Sequence, residues 1–200
     1  MPAPQVVSSP LDRRPIVVAL AGPNGAGKTT FYYAHLQPAG LRLVNADLLA
    51  RELGIGACEA AKIAGAIRRE LLSQRESFVL ETVFSDPVGD KLGFLLEAIE
   101  VGYTVLLCFI GMSGPEISEQ RVAMRVSQGG HDVPSEKLFT RYPRVLANLQ
   151  RACRELPFVS VFDNDDLRTP FRLVAVCEDG RTAKLHPPVP AWLRPLLPPR

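Results

Sequence analysis

Gly22-Pro23-Asn24-Gly25-Ala26-Gly27-Lys28-Thr29 is the stretch whose reading decides the fold. It follows a short apolar run from Ile16 to Ala21, rich in β-branched residues, introduced by Pro15 and stopped by Gly22. Such a run reads as a buried strand. Thr29-Thr30-Phe31-Tyr32-Tyr33-Ala34-His35-Leu36 then reads as a helix. Strand, glycine loop ending in Gly-Lys-Thr, and helix is the context in which a phosphate-loop pattern acquires meaning. The glycines of the stretch from Gly22 to Thr30 let backbone N–H groups close around phosphate oxygens, and the helix N-terminus adds partial positive charge. Lys28 is expected to reach the β and γ phosphates, and the Thr29 hydroxyl to take one position on Mg²⁺. The chain is therefore expected to bind ATP with Mg²⁺.

Around that loop the chain alternates strand and helix. Gly40 closes the first helical region, and Leu41-Arg42-Leu43-Val44 reads as a second strand ending at Asn45-Ala46-Asp47, a strand-to-helix junction with capping chemistry. Residues 59–74 place Ala60, Ile63, Ala64, Ile67, Leu71 and Leu72 on one stripe, which predicts a core-packing helix. Ser77-Phe78-Val79-Leu80 leads into Glu81-Thr82, a strand that ends in a carboxylate. Leu92, Leu95, Leu96 and Ile99 build the next helix, and residues 103–110 form the most continuous apolar run, read as a central strand. This regular alternation predicts an α/β fold: a doubly wound, parallel, five-stranded sheet with helices on both faces, in the manner of a kinase-type P-loop NTPase.

The second half is richer in arginine. Residues 116–128 predict a helix that carries Arg121 and Arg125 on one face, four positions apart. It breaks at Gly129-Gly130-His131 and resumes after Pro134, with Tyr142, Val145, Leu149, Cys153 and Leu156 in helical period. Pro143 is expected in the first turns of that helix or at a break just before it. Residues 158–162 form a further strand ending at Asp163-Asn164-Asp165-Asp166, and residues 171–176 and 182–185 form a C-terminal hairpin whose Asp179-Gly180 suits a tight turn. The domain plan is an extended leader over 1–15, a kinase-like domain over 16–186 and a proline-rich tail over 187–200, packed onto the body by Trp192.

Composition limits the partners. An apolar fraction of 46% and a charged fraction of 22% fit a globular chain. The net charge of +2 is too small to imply nucleic-acid binding. Arginine greatly outnumbers lysine, and its planar fork suits phosphate. Cys58, Cys108, Cys153 and Cys177 are scattered without a CxxC pair, which argues against zinc and suits reduced thiols in the cytoplasm. No run reaches membrane-spanning length, and no signal peptide is evident.

The same loop would serve a transporter-type ATPase, but the run ending at Ile110 meets Gly111 and no Asp-Glu, and no Asn-Lys-x-Asp guanine reader is present for a GTPase. What remains is the kit for phosphoryl transfer to a small molecule: phosphate loop, metal, a base for the acceptor hydroxyl, and cations on the transferring group. Asp47 is the candidate base, with a helix N-cap as its alternative role. Glu81 is read as holding acceptor hydroxyls or helping to place Mg²⁺, or else as a carboxylate satisfied by a core arginine. Arg121, Arg125 and Arg141 are read as a lid over the phosphates, or else as a solvated face. A kinase for an RNA or DNA 5′ end and a nucleotide-dependent binding module stay open as alternatives.

The ordered set of motifs resembles the compact branch of the zeta toxin family. It comprises the phosphate loop with Thr30-Phe31, Asn45-Ala46-Asp47, Glu81-Thr82-Val83-Phe84-Ser85, the block from Arg121 through Arg125-Val126-Ser127-Gln128-Gly129-Gly130-His131 to Pro134, Arg141-Tyr142 and Asn148-Leu149. The resemblance implies ATP-dependent phosphorylation of a UDP-linked amino sugar such as UDP-N-acetylglucosamine, held in check by a small antitoxin. By position it implies that Lys28 and Thr29 serve the phosphates, Asp47 is the base, Glu81 and Thr82 lie on the substrate strand, and Arg125 and Arg141 bind phosphate. His131 is a further candidate contact to phosphate or substrate.

Overall fold

The computed structural model describes residues 8–128 and 132–200. The expected Gly129-Gly130 hinge, His131 and residues 1–7 of the expected leader lie outside the described residues. The rest of the leader is not extended throughout: a helical turn, α1 (Ser8–Leu11), brings Leu11 into the core.

Seven strands form one sheet: β1 (Ile16–Ala21), β2 (Arg42–Val44), β3 (Phe78–Thr82), β4 (Thr104–Gly111), β5 (Phe158–Asp163), β6 (Arg172–Glu178) and β7 (Arg181–Leu185). Their order is β2-β3-β1-β4-β5-β6-β7. The expected parallel sheet of five is present as β2 to β5, but the total of five is corrected to seven. The C-terminal hairpin joins the same sheet, with β6 antiparallel to β5. The row of backbone groups that β5 would otherwise expose at an edge is thereby paired. The hairpin turn is as expected, with Asp179 and Gly180 both at positive φ, 47° and 77°.

Alternation along the central strands divides the core into two layers. Val17, Ala19 and Ala21 of β1, with Val105, Leu107 and Phe109 of β4, face one layer. That layer is completed by α4 (Ala57–Ser73), α5 (Asp90–Glu100) and α7 (Ser135–Glu155). Ile16, Val18 and Leu20, with Leu106, Cys108 and Ile110, face the other. It is closed by Phe31 of α2 (Lys28–Phe31), by the π-helical turn Tyr32–Leu36, and by Leu11. Because every residue of β1 is buried, the loop that leaves its C-terminal end is anchored on an immobile base.

The helix α7 runs unbroken for 21 residues with Pro143 inside it, so neither a start nor a break occurs there. Pro143 lies on the exposed side of the helix, and Phe139, four residues before it, is 42% exposed. On the opposite side Val145, Leu149, Ala152 and Cys153 hold the helix to the sheet. Among the described residues no helix is long and apolar enough to cross a membrane. Residues 187–200 pack against the body: Leu193 is fully buried, and Thr182 donates its hydroxyl to the Pro198 carbonyl at 2.6 Å.

Candidate active site

The phosphate loop leaves β1 through Gly22 at φ 144°, where an added Cβ would lie 2.1 Å from the Ile110 carbonyl oxygen. Glycine is required there by space as well as by conformation. Gly27 adopts φ 87°, and α2 starts at Lys28. Ala26 N–H closes a turn onto the Pro23 carbonyl. Among the described residues the N–H groups of Gly25, Gly27 and Lys28 meet no backbone carbonyl. Those donors, next to a helix N-terminus, are a cradle for phosphate oxygens.

Lys28 is buried and its ammonium donates to the carbonyls of Gly22 and Pro23, both at 3.0 Å. Burial pushes its pKa down from the ordinary lysine value; the nearby carboxylates of Glu81 and Asp47 oppose that shift, and Arg125 adds to it. A triphosphate would supply the counter-charge that a buried ammonium lacks here.

The β3 strand carries Glu81 to the same point. The register of β3 against β1 pairs Glu81 with Leu20 and Thr82 with Ala21, so Glu81 emerges beside the loop's origin. Its carboxylate oxygens accept the Thr29 hydroxyl at 3.0 and 3.2 Å, and Oε2 also accepts Asn45 Nδ2 at 2.8 Å. The contacts described for the Glu81 carboxylate are thus to Thr29 and Asn45.

The alternative role of Asp47 is taken by another residue. Asn45 caps α3 (Ala46–Leu53), its Oδ1 accepting Asp47 N–H at 2.8 Å and Leu48 N–H at 3.2 Å. The Asp47 side chain is left exposed in the first turn, with its charge acting on Lys28. Thr82 is used locally, its hydroxyl accepting Phe84 N–H at 3.1 Å. Phe84 is buried at φ 63°, and its carbonyl and that of Asp86 accept Asn148 Nδ2 at 2.9 and 3.0 Å. The helix α7 thus grips the loop that leaves the Glu81 strand.

The three arginines do not act alike. Arg121, on α6 (Pro115–Ser127), turns its guanidinium to the carbonyls of Asn164 and Asp165 at 2.6 and 2.9 Å and to Met112 Sδ at 3.3 Å. Its stem lies under Gly25, whose added Cβ would sit 3.1 Å from Arg121 Cβ. It braces the loop from behind. Arg125, one turn further, is half-buried and its charge acts on Lys28. Arg141 is half-buried on α7 and makes no hydrogen bond or ion pair among the described residues. Its neighbour Tyr142 donates to the Met112 carbonyl at 2.7 Å, which sets this turn of α7 at the C-terminal end of β4. Burial, with Asp165 and Glu116 nearby, pushes the Tyr142 phenol up to about 12.

One residue was missed by motif reading. Asn164 is 2% exposed, donates Nδ2 to the Ala26 carbonyl at 2.8 Å and accepts Phe171 N–H at 3.1 Å. It follows the last residue of β5, where open parallel sheets place ligand contacts, and that position is the signal that could have singled it out.

Comparison with known proteins agrees with this geometry. The family model described as Zeta toxin matches residues 57–171, from the start of α4 to the residue before β6. The structure of AvrRxo1-ORF1:-ORF2 with ATP is similar at a TM-score of 0.67 and 20% identity, over 89% of this chain and 64% of that one. This chain therefore spans less than two thirds of that protein's length. A structure from the PezAT chromosomal toxin-antitoxin system of Streptococcus pneumoniae is similar at a TM-score of 0.58 and 17% identity, over 82% of this chain and 72% of that one. At such identities the likeness shows the fold, a kinase-like phosphate-loop fold. No curated protein matches the sequence. Since the family match takes in more than half of its residues, the chain belongs to the zeta toxin family.

Proposed function

We propose that the protein is an ATP- and Mg²⁺-dependent phosphotransferase that moves the γ-phosphate to a hydroxyl of a nucleotide sugar, such as UDP-N-acetylglucosamine, or of a related polar metabolite. The observation that carries this reading is the chain of contacts Thr29–Glu81–Asn45, which puts a carboxylate between the phosphate loop and the helix that bears Asp47. Donor and acceptor groups meet at one end of the sheet, as phosphoryl transfer requires.

Thr29 and Glu81 offer the hard oxygen donors that suit Mg²⁺, an ion that keeps waters and phosphate oxygens among its ligands. Bound there, the metal would neutralise charge on the β and γ phosphates. Gly22, Pro23, Asn24, Gly25, Ala26, Gly27 and Thr30 shape the cradle, and Lys28 leaves its two carbonyls to reach the phosphates. Asp47 accepts the acceptor's hydroxyl proton as that oxygen attacks in line. Arg125 and Arg141 offset the charge on the transferring group. Arg121 supports the loop rather than covering it, and Glu81 holds both metal and acceptor side together.

The AvrRxo1 structure holds ATP beside a second chain, and the PezAT structure comes from a toxin-antitoxin system. By that likeness we assign this protein an antitoxin-type protein partner, and by its four free thiols a place in the cytoplasm. Incubation with γ-labelled ATP, Mg²⁺ and a panel of nucleotide sugars, with an oligonucleotide 5′ end as a separate arm, should label a nucleotide sugar. Asp47→Asn should abolish that transfer with ATP binding kept. Transfer undiminished in Asp47→Asn would remove Asp47 as the base, and label on the oligonucleotide alone would replace the substrate class.

A further inference from the structure

The asparagine that opens α3 does more than cap it. Its Oδ1 accepts two backbone N–H groups, those of Asp47 and Leu48, while its Nδ2 donates to Glu81 Oε2 at 2.8 Å. This orientation is dictated by chemistry: turned over, the amide would set its own NH₂ against two N–H donors and its oxygen against a carboxylate. The register supports the contact, because Val44 pairs with Leu80 and the next residues on each strand are Asn45 and Glu81. Asn45 is 7% exposed, so water does not easily stand in for either bond.

Capping alone does not call for asparagine, since serine and aspartate cap about as well. Serine is too short to reach Glu81 from the cap, and aspartate would bring a second carboxylate against it. Asparagine is the side chain that caps with one end and donates to a carboxylate with the other. The Glu81 carboxylate in turn accepts the Thr29 hydroxyl, so a continuous path runs from the phosphate loop through Glu81 and Asn45 to the Asp47 N–H.

We propose that Asn45 is a positioning residue that couples the two halves of the site: it holds Glu81 turned towards Thr29 and the metal position, and at the same time fixes the first turn of α3 that presents Asp47. This inference rests on the phosphotransferase reading above and adds a residue that acts through Glu81 and Asp47 without touching phosphate itself. Loss of the Nδ2 donor frees the Glu81 carboxylate to rotate, which weakens the metal position and misplaces Asp47 together. Supporting groups of this kind commonly change metal affinity or activity by about 10 to 100-fold.

The test uses a variant that keeps the cap, Asn45→Ser, with Asn45→Ala as the variant that loses it. Calorimetric titration of ATP with and without Mg²⁺ reads the metal position whether or not any acceptor is found. For Asn45→Ser we expect ATP affinity without Mg²⁺ to be unchanged and the gain from Mg²⁺ to fall about tenfold. In the transfer assay, which contains Mg²⁺, kcat/KM for ATP should fall by a similar factor of about ten. A cap without this coupling would leave Asn45→Ser with the wild-type gain from Mg²⁺, and that result overturns the proposal. Wild-type protein that shows the gain from Mg²⁺ but labels no acceptor would defeat the phosphotransferase reading and leave the coupling to be judged by calorimetry.

Discussion

The side-chain amide of Asn164 donates to the Ala26 carbonyl at 2.8 Å, a bond between positions 138 residues apart that ties the end of β5 to the crest of the phosphate loop. The same side chain accepts Phe171 N–H, and its own carbonyl accepts Arg121 Nη2. A loop rich in glycine has little rigidity of its own, so its shape is held by what surrounds it. Asn164 and Arg121 hold it from the side away from the phosphates.

Replacing Asn164 by alanine should leave the Ala26 carbonyl and the Phe171 N–H without partners in a buried setting. An orphaned buried group costs about 1–3 kcal/mol. We expect chemical denaturation of Asn164→Ala to show a loss of that order, and ATP titration to show weaker binding. A variant with wild-type stability and affinity would mean that the loop keeps its shape without this brace.

Gly111, the last residue of β4, faces the ring of Trp192, and an added Cβ would lie 2.1 Å from the indole. Trp192 Nε1–H also donates to Asp163 Oδ1 at 3.1 Å. Gly111→Ala should therefore displace the ring and cost about 1–3 kcal/mol, as overpacking does. Trp192 is the sole tryptophan of the chain, so its emission should move to longer wavelength in the folded variant. Unchanged emission would show that residues 187–200 can shift as a unit to make room.

The phenol of Tyr142, pushed up to about 12 by burial with Asp165 and Glu116 nearby, should ionise late in an ultraviolet titration, as should Tyr32 and Tyr103, whose phenols burial also pushes up. The folded pKa of Tyr142 is raised above the ordinary value of 10.0, so its contribution to stability is complete below pH 10 and is lost as the pH rises through about 12. Tyr142→Phe should reduce the amplitude of the late step by one phenol and remove that part of the alkaline loss. An undiminished late amplitude in Tyr142→Phe would mean that Tyr142 does not ionise late.

Lys28 works in the opposite sense. Its folded pKa is lowered chiefly by burial, so between that value and 10.5 the unfolded chain binds more protons and stability rises with pH. The penalty for a buried ammonium is present in full at lower pH. Lys28→Met should lose ATP binding and, in denaturation curves taken at several pH values, should lack this alkaline gain. Parallel stability profiles for the two proteins would show that the lysine is not held charged at the expense of the fold.

The local features of the chain were legible from its residues. Backbone conformation and hydrophobic period are properties of short windows, which is why the phosphate loop, the parallel strands, the Asp179-Gly180 turn and the carboxylate that closes β3 could be read from the sequence. The partners of those features were set by register and packing between distant segments. Asn45, not Asp47, caps α3, and its amide also reaches Glu81, 36 residues along the chain on the neighbouring strand. Whether Arg121 faces phosphate or the Asn164 carbonyl depended on how α6 packs beneath Gly25. The sheet grew from five strands to seven because the edge of β5 needed pairing, and α7 passed through Pro143 because one side of it is exposed while the other is buried. The sequence by itself determined which chemistry is available here, since that follows from residue type and short-range geometry. The tertiary structure alone decided which of those residues meet, because each side chain takes the partner that the packing of the whole chain leaves within about 3 Å.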